Sequence, residues 1–180
     1  MLAVLATVAL AAAPAQSSSY VLRASAQRQQ LGGFTITKRP TLAGIAAAYG
    51  DPSACTLQSW YGNAVWRSLG FRVHATSLGV LPKGADFCTV SDDVKIASVI
   101  VTGKRWHTTK GLRVGDTYAK FRRLYPHAHR STFGWSIVAV YGPCSIGVCS
   151  TRYVWAPRLT AAFRNGRVAE FVFPVGAQGE

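Results

Sequence analysis

Acidic residues are scarce in this chain of 180 residues: seven Asp and Glu stand against 20 Lys and Arg, which gives a formal net charge of +13. Charged residues as a whole are also few, at 15%. Disordered proteins are poor in aromatic residues, whereas this chain has five Trp, seven Tyr and eight Phe, so that class is excluded. Beyond the N-terminus no apolar run approaches ~18 residues, which excludes a multi-pass membrane protein and predicts no transmembrane segment in the mature chain.

The chain also lacks the motifs of common enzymes. It has no G-x-S-x-G nucleophile turn, no phosphate-binding G-x-x-x-x-G-K-[ST] loop and no H-E-x-x-H zinc helix. Asp51 and Asp116 are predicted at helix ends and Asp92 and Asp93 in a turn, so these carboxylates have structural explanations. We therefore expect no catalytic residue, no cofactor and no metal, and predict that the protein is not an enzyme.

The N-terminus carries the only long apolar run, Leu2–Ala15, which ends in the small-x-small sequence Ala-Pro-Ala. This pattern predicts a signal peptide over residues 1–15 and a secreted or extracytoplasmic protein, although no Lys or Arg precedes the run. An ordered helix and an uncleaved anchor are the alternatives. The polar residues 16–33 that follow, rich in Ser and Gln, predict a flexible leader.

After the leader, the chain repeats itself. Thr41–Tyr49 aligns without gaps to Thr117–Tyr125, and both segments place apolar residues at i, i+3 and i+7, the spacing of one helical face. Lys95–Val101 likewise matches Arg167–Phe173: each segment begins with a basic residue and has β-branched or aromatic residues at matching positions. The match defines a first copy over residues 34–107 and a second over residues 108–176.

Each copy predicts a short helix followed by three or four antiparallel strands. The expected strands include segments 64–69 and 71–75 in the first copy and 135–141 and 159–163 in the second, and Asn165-Gly166 is a strong type I′ hairpin signal. We therefore expect an α+β fold of two tandem helix-plus-antiparallel-sheet repeats. The two sheets would lie side by side with the helices on one face, leaving the other face partly open.

The four cysteines, in an exported protein, are candidates for disulfide bonds. Cys55, Cys88, Cys144 and Cys149 allow three pairings, and we favour Cys55–Cys88 with Cys144–Cys149, because each pair then lies within one copy. The alternative is a zinc site formed by the last two cysteines with two nearby histidines, His127 and His129. Their spacing matches no compact zinc motif.

The segments Gly111–Pro126 and Leu159–Phe173 resemble the β-lactamase-inhibitor-like fold, a grouping that includes the β-lactamase inhibitory protein and the SmpA/OmlA-type outer-membrane lipoproteins. The resemblance rests on the glycine-rich start of the helix at Gly111, Gly115, Asp116 and Thr117 and on the closing hairpin. It implies a tandem helix-plus-sheet fold, one disulfide per copy, and binding rather than catalysis. No inhibitory loop and no lipid-bearing cysteine can be assigned.

The aromatic residues in or beside the predicted strands are the first candidate binding site. Large aromatic side chains on an open sheet face would act as anchors at a protein interface. We therefore predict an exported, non-catalytic binding protein, with enzyme inhibition or an envelope-associated role as forms of that function and an unknown protein or envelope component as partner. The candidate partner-binding residues are Trp60, Tyr61, Trp66, Trp106, Tyr153 and Trp155.

The basic stretch from residue 104 to residue 130 is the second candidate site. Asp116 is the only acid within it, and arginine binds phosphate and carboxylate through two hydrogen bonds at once. The alternative function is adhesion to an anionic polymer: a wall polymer, lipid headgroups or nucleic acid, the last being least favoured because no nucleic-acid-binding module is visible. The candidate anion-binding residues are Lys104, Arg105, Lys120, Arg122, Arg123 and Arg130.

Overall fold

The structure is a computed structural model, and it describes residues 20–36, 40–58, 61–77, 88, 94–145 and 148–175. The expected signal peptide, residues 1–15, lies outside the described residues. The elements, in chain order, are β1 Val21–Ala24, β2 Gln29–Leu31, β3 Phe34–Ile36, α1 Leu42–Tyr49, β4 Ala54–Gln58, β5 Tyr61–Trp66, β6 Phe71–Ser77, β7 Val94–Val101, β8 His107–Thr108, α2 Tyr118–Leu124, β9 His129–Ser131, β10 Gly134–Ser145, β11 Val148–Arg164 and β12 Arg167–Pro174.

Eight strands form one continuous antiparallel sheet in the order β4-β5-β6-β7-β12-β11-β10-β9. Its register aligns apolar residues into a row across five neighbouring strands: Phe71, Val101, Phe171, Ala161 and Trp135 are successive Cα partners. Directly opposed residues share a face of the sheet, so this row defines the core face. The first four of the row are buried, and Trp135 packs against the same core.

The first part of the chain forms a second, four-stranded sheet in the order β3-β2-β1-β8. Leu22, Leu31 and Ile36 of this small sheet are buried in the common core. The buried Gln29 side chain ties the two sheets together, because its Nε2 donates to the backbone oxygens of Arg158 at 2.6 Å and Pro174 at 3.1 Å. The small sheet therefore covers part of the core face.

Both helices lie within the segments for which the sequence predicts them, Thr41–Tyr49 and Thr117–Tyr125. The Thr41 hydroxyl accepts from the backbone N–H of Gly44 at the start of α1, and the Thr117 hydroxyl accepts from that of Lys120 at the start of α2. Gly50 ends α1 at φ +80°, a conformation that glycine adopts without strain. The Asn165-Gly166 turn is confirmed as well, with φ +53° and +71°.

The helices pack on the core face of the large sheet through aromatic residues. Tyr49 of α1 contacts the Phe71 ring with 5.2 Å between centroids, and its hydroxyl donates to the Leu31 carbonyl of the small sheet. Phe121 of α2 contacts Phe163 and Trp135 at 5.1 and 6.0 Å. The protein thus has two layers: the large sheet, and a layer made of the helices and the small sheet.

The expected α+β fold of two side-by-side helix-plus-sheet repeats is wrong. In the described residues the chain is mostly β-strand with two short helices, and its strands form one eight-stranded and one four-stranded sheet. An eight-residue helix is about 12 Å long, whereas eight strands span about 34 Å. Two such helices cannot cover the core face, and the small sheet covers much of the remainder.

The expected flexible leader is also wrong from Tyr20 onward. β1 and β2 lie in this segment and pair with each other, and their residues Leu22 and Leu31 are buried in the core. None of the helices in the described part of the chain is long and apolar enough to cross a membrane.

The Cys55–Cys88 disulfide is confirmed. The β10–β11 register places Cys144 directly opposite Cys149 near the end of a long two-stranded ribbon. This arrangement is compatible with the second disulfide, which stays a prediction because those two side chains are not described. The pairings recorded for β9 and β12 end at Ser136 and Thr160, so the ribbon extends beyond the rest of the sheet.

Candidate functional site

The face of the large sheet opposite the helices carries side chains that point away from the core. Two rows define it: Asn63, His74 and Ser98 are successive Cα partners, and Arg72, Ile100 and Val172 form the next row. Glu170 and Ala162, which are Cα partners, continue the surface. We call this surface the open face.

A trough of about 630 Å³ runs across the open face. Ile100, Val172 and Ala162 supply apolar surface to its floor, and the β9–β10 turn at residues 132–134 forms one end. Phe133 in this turn is 36% exposed, which makes it one of the three exposed large apolar side chains among the described residues. The trough thus combines an apolar floor with an aromatic side chain at one end.

The β9–β10 turn depends on glycine at its last position. Gly134 has φ +121°, and a Cβ atom built there would lie 2.6 Å from the Ala161 carbonyl oxygen of the neighbouring strand. Any other residue would therefore push the turn away from β11. The close approach of the two backbones fixes the position of Phe133 at the end of the trough.

Two polar pairs lie in the trough. The Arg72 guanidinium contacts the Glu170 carboxylate at 3.2 Å, with 39% and 28% of the two side chains exposed. His74 Nδ1 lies 3.2 Å from Asn63 Oδ1, and the His74 ring contacts the Tyr61 ring at 5.7 Å. Because the ion pair remains partly solvated, its two partners can exchange it for contacts with a bound molecule at small cost.

Two of the predicted aromatic anchors are wrong, because Trp66 and Trp106 are 2% and 1% exposed. The Trp66 ring stacks on Phe71, and its Nε1 donates to the Gly50 carbonyl at 2.7 Å. Trp106 Nε1 donates to the Leu69 carbonyl at 2.6 Å. Both indoles fill the core with their polar atoms satisfied, so neither can anchor a partner at the surface.

The other predicted anchors lie in different places. Tyr61 is half-buried beside His74 on the open face. Trp60 lies outside the described residues. Tyr153 and Trp155 lie in β11, and their side chains are not described. Of the candidate anchors, the structure therefore places Tyr61 on the open face, next to His74 of the trough.

Sequence reasoning missed two exposed aromatic residues. Phe133 stands between a threonine and a glycine in a turn, and an aromatic residue at such a position could have indicated an exposed side chain. Tyr141 is 57% exposed and lies opposite Trp155 in the β10–β11 ribbon. Its position inside an apolar strand segment gave no indication of exposure.

The predicted anion-binding residues do not form one group. Lys104 and Arg105 are exposed in the turn after β7, where the Arg105 guanidinium lies 5.9 Å from the Tyr20 ring centroid. Lys120 forms an ion pair with Asp116 at 2.8 Å, so its charge is neutralised within the protein.

Of the other three predicted basic residues, two lie in the last turn of α2 and one lies on the edge strand β9. Arg123 is exposed, and the Arg122 guanidinium lies 5.2 Å from the ring centroid of Trp135. Arg130 on the edge strand β9 is the Cα partner of Trp135 and so shares its face. The structure adds Lys110, whose Nζ donates to the Leu124 carbonyl at 3.1 Å and lies 5.1 Å from the Tyr125 ring centroid. Sequence reasoning could not place this loop residue beside α2.

The pKa of Asp116 reflects its neighbours. Burial raises the pKa of this carboxyl, but hydrogen bonds from Lys120 and from the Arg113 backbone, together with the charges of both residues, outweigh burial and hold the pKa below its ordinary value. Asp116 is therefore a structural carboxylate that fixes the turn before α2. Among the described residues no group of three His, Cys, Asp or Glu side chains could hold a metal ion.

Comparisons of the chain with protein-family models, with curated proteins and with solved structures found no match.

Proposed function

We propose that the protein is an exported, non-catalytic binding protein that holds a macromolecular partner on the open face of its large sheet. The observation that carries this proposal is the trough with its apolar floor and the exposed Phe133 at its end. Aromatic anchors beside apolar surface with a polar rim are the usual composition of a protein interface. Inhibition of an enzyme is one form that such binding could take.

The polar groups of the trough support binding rather than catalysis. Glu170 is the one carboxylate among the described residues that line it, and Arg72 holds this carboxylate in an ion pair. Acid–base hydrolysis of the glycosidase type needs two carboxylates of different pKa. In the trough, Arg72 and Glu170 are better suited to fix the orientation of a partner.

The net charge of +13 indicates that the partner carries a negative charge. A second copy of the chain would be repelled, whereas an acidic protein would be attracted and guided to the surface. Arg72 could accept a partner carboxylate in place of Glu170, since the pair is partly solvated. We therefore expect an acidic partner that contacts Phe133 with an apolar side chain.

Site-specific photocrosslinking tests this proposal. A photoreactive amino acid at Ser98, which lies in the trough, should form a discrete crosslinked species in the envelope or culture fluid of the producing cell. The same group at the exposed Ala47 of α1, on the other side of the large sheet, is the matched control and should not form it. Crosslinks that are absent at both positions, or equal at both, would contradict the proposal.

The contribution of the aromatic anchor can then be measured on the captured partner. Phe133→Ala should weaken binding by about 10-fold or more, because truncation of a buried anchor costs about 2 kcal/mol. Binding should persist at about 0.5 M salt, where exposed charges are screened. If binding disappears at high salt but is unchanged by Phe133→Ala, the interface does not lie at the trough.

A further inference from the structure

The C-terminal end of α2 gathers positive charge from three separate parts of the chain. We propose that this surface binds a linear polyphosphodiester chain, as a second site independent of the open face. The residues that form it, here called the basic cluster, are Lys110, Arg122, Arg123 and Arg130. They come from the loop after β8, from the last turn of α2 and from the edge strand β9.

Three members of the basic cluster are placed by contacts with α2 or with Trp135. Lys110 reaches the last carbonyl of α2, at Leu124, and so lies at the C-terminus of the helix. Arg122 lies over the Trp135 ring, and Arg130 is the Cα partner of the same tryptophan. Trp135 therefore brings the side of the helix and the edge of the sheet next to each other.

These contacts position the cations without neutralising them. A carbonyl oxygen and an aromatic ring attract a positive charge, but neither carries a negative one. In the described part of the chain, the ion pairs are Arg72–Glu170 and Lys120–Asp116, and neither includes a member of the basic cluster. The positive charges at this end of α2 are therefore not balanced by a described carboxylate, and a bound anion would be attracted to them.

The helix dipole explains only part of this arrangement. Basic residues in the last turn of a helix are stabilised by its negative end, which accounts for Arg122 and Arg123. Arg130 belongs to a strand and is exposed, so the dipole does not account for it. The convergence of a strand residue with the helix end points to a ligand that contacts both elements.

The composition of the surface favours a phosphate-bearing polymer that is recognised by its backbone. Three of the four cations are arginines, whose planar donors match phosphate oxygens. The Trp135 and Tyr125 rings are covered by Arg122 and Lys110, so they are not free to stack on nucleic-acid bases. A chain of phosphodiesters without bases fits this surface.

A membrane surface fits less well. Insertion into lipid requires exposed apolar side chains beside the charges. Of the exposed large apolar residues in the described chain, Phe133 lines the trough and Tyr141 lies in the β10–β11 ribbon. Tyr118 lies nearer, but its ring packs against Trp135 and Phe163 at 5.6 and 5.2 Å and is engaged within the protein. The basic cluster contains none of them.

The experiment measures binding of the full chain to poly(glycerol phosphate), a base-free polyphosphodiester, by fluorescence anisotropy at two salt concentrations. With four charges involved, raising the salt fourfold should weaken binding by roughly 50-fold. The double variant Arg123→Gln/Arg130→Gln should bind about 10-fold or more weakly and lose about half of the salt dependence. Both side chains are exposed, so the variant should unfold at the same temperature as the parent chain.

A control double variant, Arg28→Gln/Arg67→Gln, removes the same charge from exposed positions outside the basic cluster. It should change the affinity by less than about threefold. An equal loss in both double variants would show that net charge alone attracts the polymer and would overturn the proposal. Absence of binding by the parent chain would do the same.

Three further probes distinguish the source of the phosphate. Oligothymidylate with the same number of phosphates should bind no more tightly than poly(glycerol phosphate), and about 10-fold tighter binding would identify a nucleic-acid site instead. Phosphatidylglycerol vesicles at equal phosphate should bind more weakly, and equal or tighter binding would identify a membrane surface. The trough variant Phe133→Ala should bind the polymer as the parent chain does, so failure of either proposal can be recognised separately.

Discussion

Arg72 on β6 and Glu170 on β12 form an ion pair that reaches across the intervening strand β7, with 3.2 Å between nitrogen and oxygen. The pair lies in the middle of the trough on the open face. It links the strands on either side of β7.

The first prediction concerns the energy of this pair. Glu170→Gln should lower the free energy of unfolding by no more than about 1 kcal/mol, because a partly solvated ion pair contributes little. A double-mutant cycle with Arg72→Met, measured by urea unfolding, gives the coupling directly. A coupling above about 2 kcal/mol would show that the pair is a structural element of the sheet rather than an exchangeable contact.

The second prediction separates buried from exposed aromatic residues. Trp66→Ala should lower the free energy of unfolding by about 3–5 kcal/mol, because it leaves a cavity beside Phe71 and deprives the Gly50 carbonyl of its donor. The matched control is Tyr141→Ala at an exposed position, with an expected change within about 0.5 kcal/mol. Denaturant unfolding measures both, and similar values for the two variants would contradict the assignment of Trp66 to the core.

The third prediction concerns the cysteines. Peptide mapping of the unreduced protein should show Cys55 joined to Cys88 and Cys144 joined to Cys149. Replacing Cys55 and Cys88 with serine should cost about 4 kcal/mol of stability, because the bond closes a long loop in the unfolded chain. A peptide that joins Cys55 to Cys144 or Cys149 would contradict both pairings.

The fourth prediction concerns pH. Because the pKa of Asp116 is lower in the folded protein than in the unfolded chain, its contribution to stability is present above the unfolded pKa and is lost as the pH falls through the folded value. Asp116→Asn should therefore cost about 1 kcal/mol at pH 7 and nothing near about pH 2. Urea unfolding of both proteins at the two pH values measures this. If the two proteins differ in free energy of unfolding as much in acid as at neutral pH, the charge of Asp116 does not stabilise the fold.

The helices, the hairpin turn and one disulfide could be predicted from the sequence because each depends on nearby residues. Thr41 and Thr117 cap the helices through contacts three residues away, and Asn165-Gly166 adopts the positive φ angles of its turn without help from the rest of the fold. Cys55 and Cys88 could be paired because the repeated segments delimited where each belonged.

The fold class could not be predicted because it depends on pairings between distant segments. Whether β7 joins β12 to make one sheet or ends a separate one is decided by the contact of Val101 with Phe171, 70 residues apart in the numbering. The leader was misjudged for a related reason. Leu22 and Leu31 are too few to give a periodic signal, yet they complete a core whose other residues lie far along the chain.

The candidate sites show the same division. Alternation in a strand identifies which residues share a face, but it does not say which face is covered, so the sequence does not show that Trp66 of β5 fills the core. Trp106 lies outside the strands, and its burial depends on packing against Tyr20 and Phe71 from distant segments. Lys110 was not selected, because its position beside α2 follows from the loop that returns to Leu124.

By itself, the sequence determined the scarcity of acid, the net charge of +13, the two short helices with their caps and the apolar strands. Those features follow from composition and from interactions within a few residues. Only the tertiary structure decided that the strands join into one broad sheet, which face of it stays open, and which cations meet at the end of α2. Burial and charge density arise from segments far apart in the chain, and a linear pattern holds no record of which distant segments will touch.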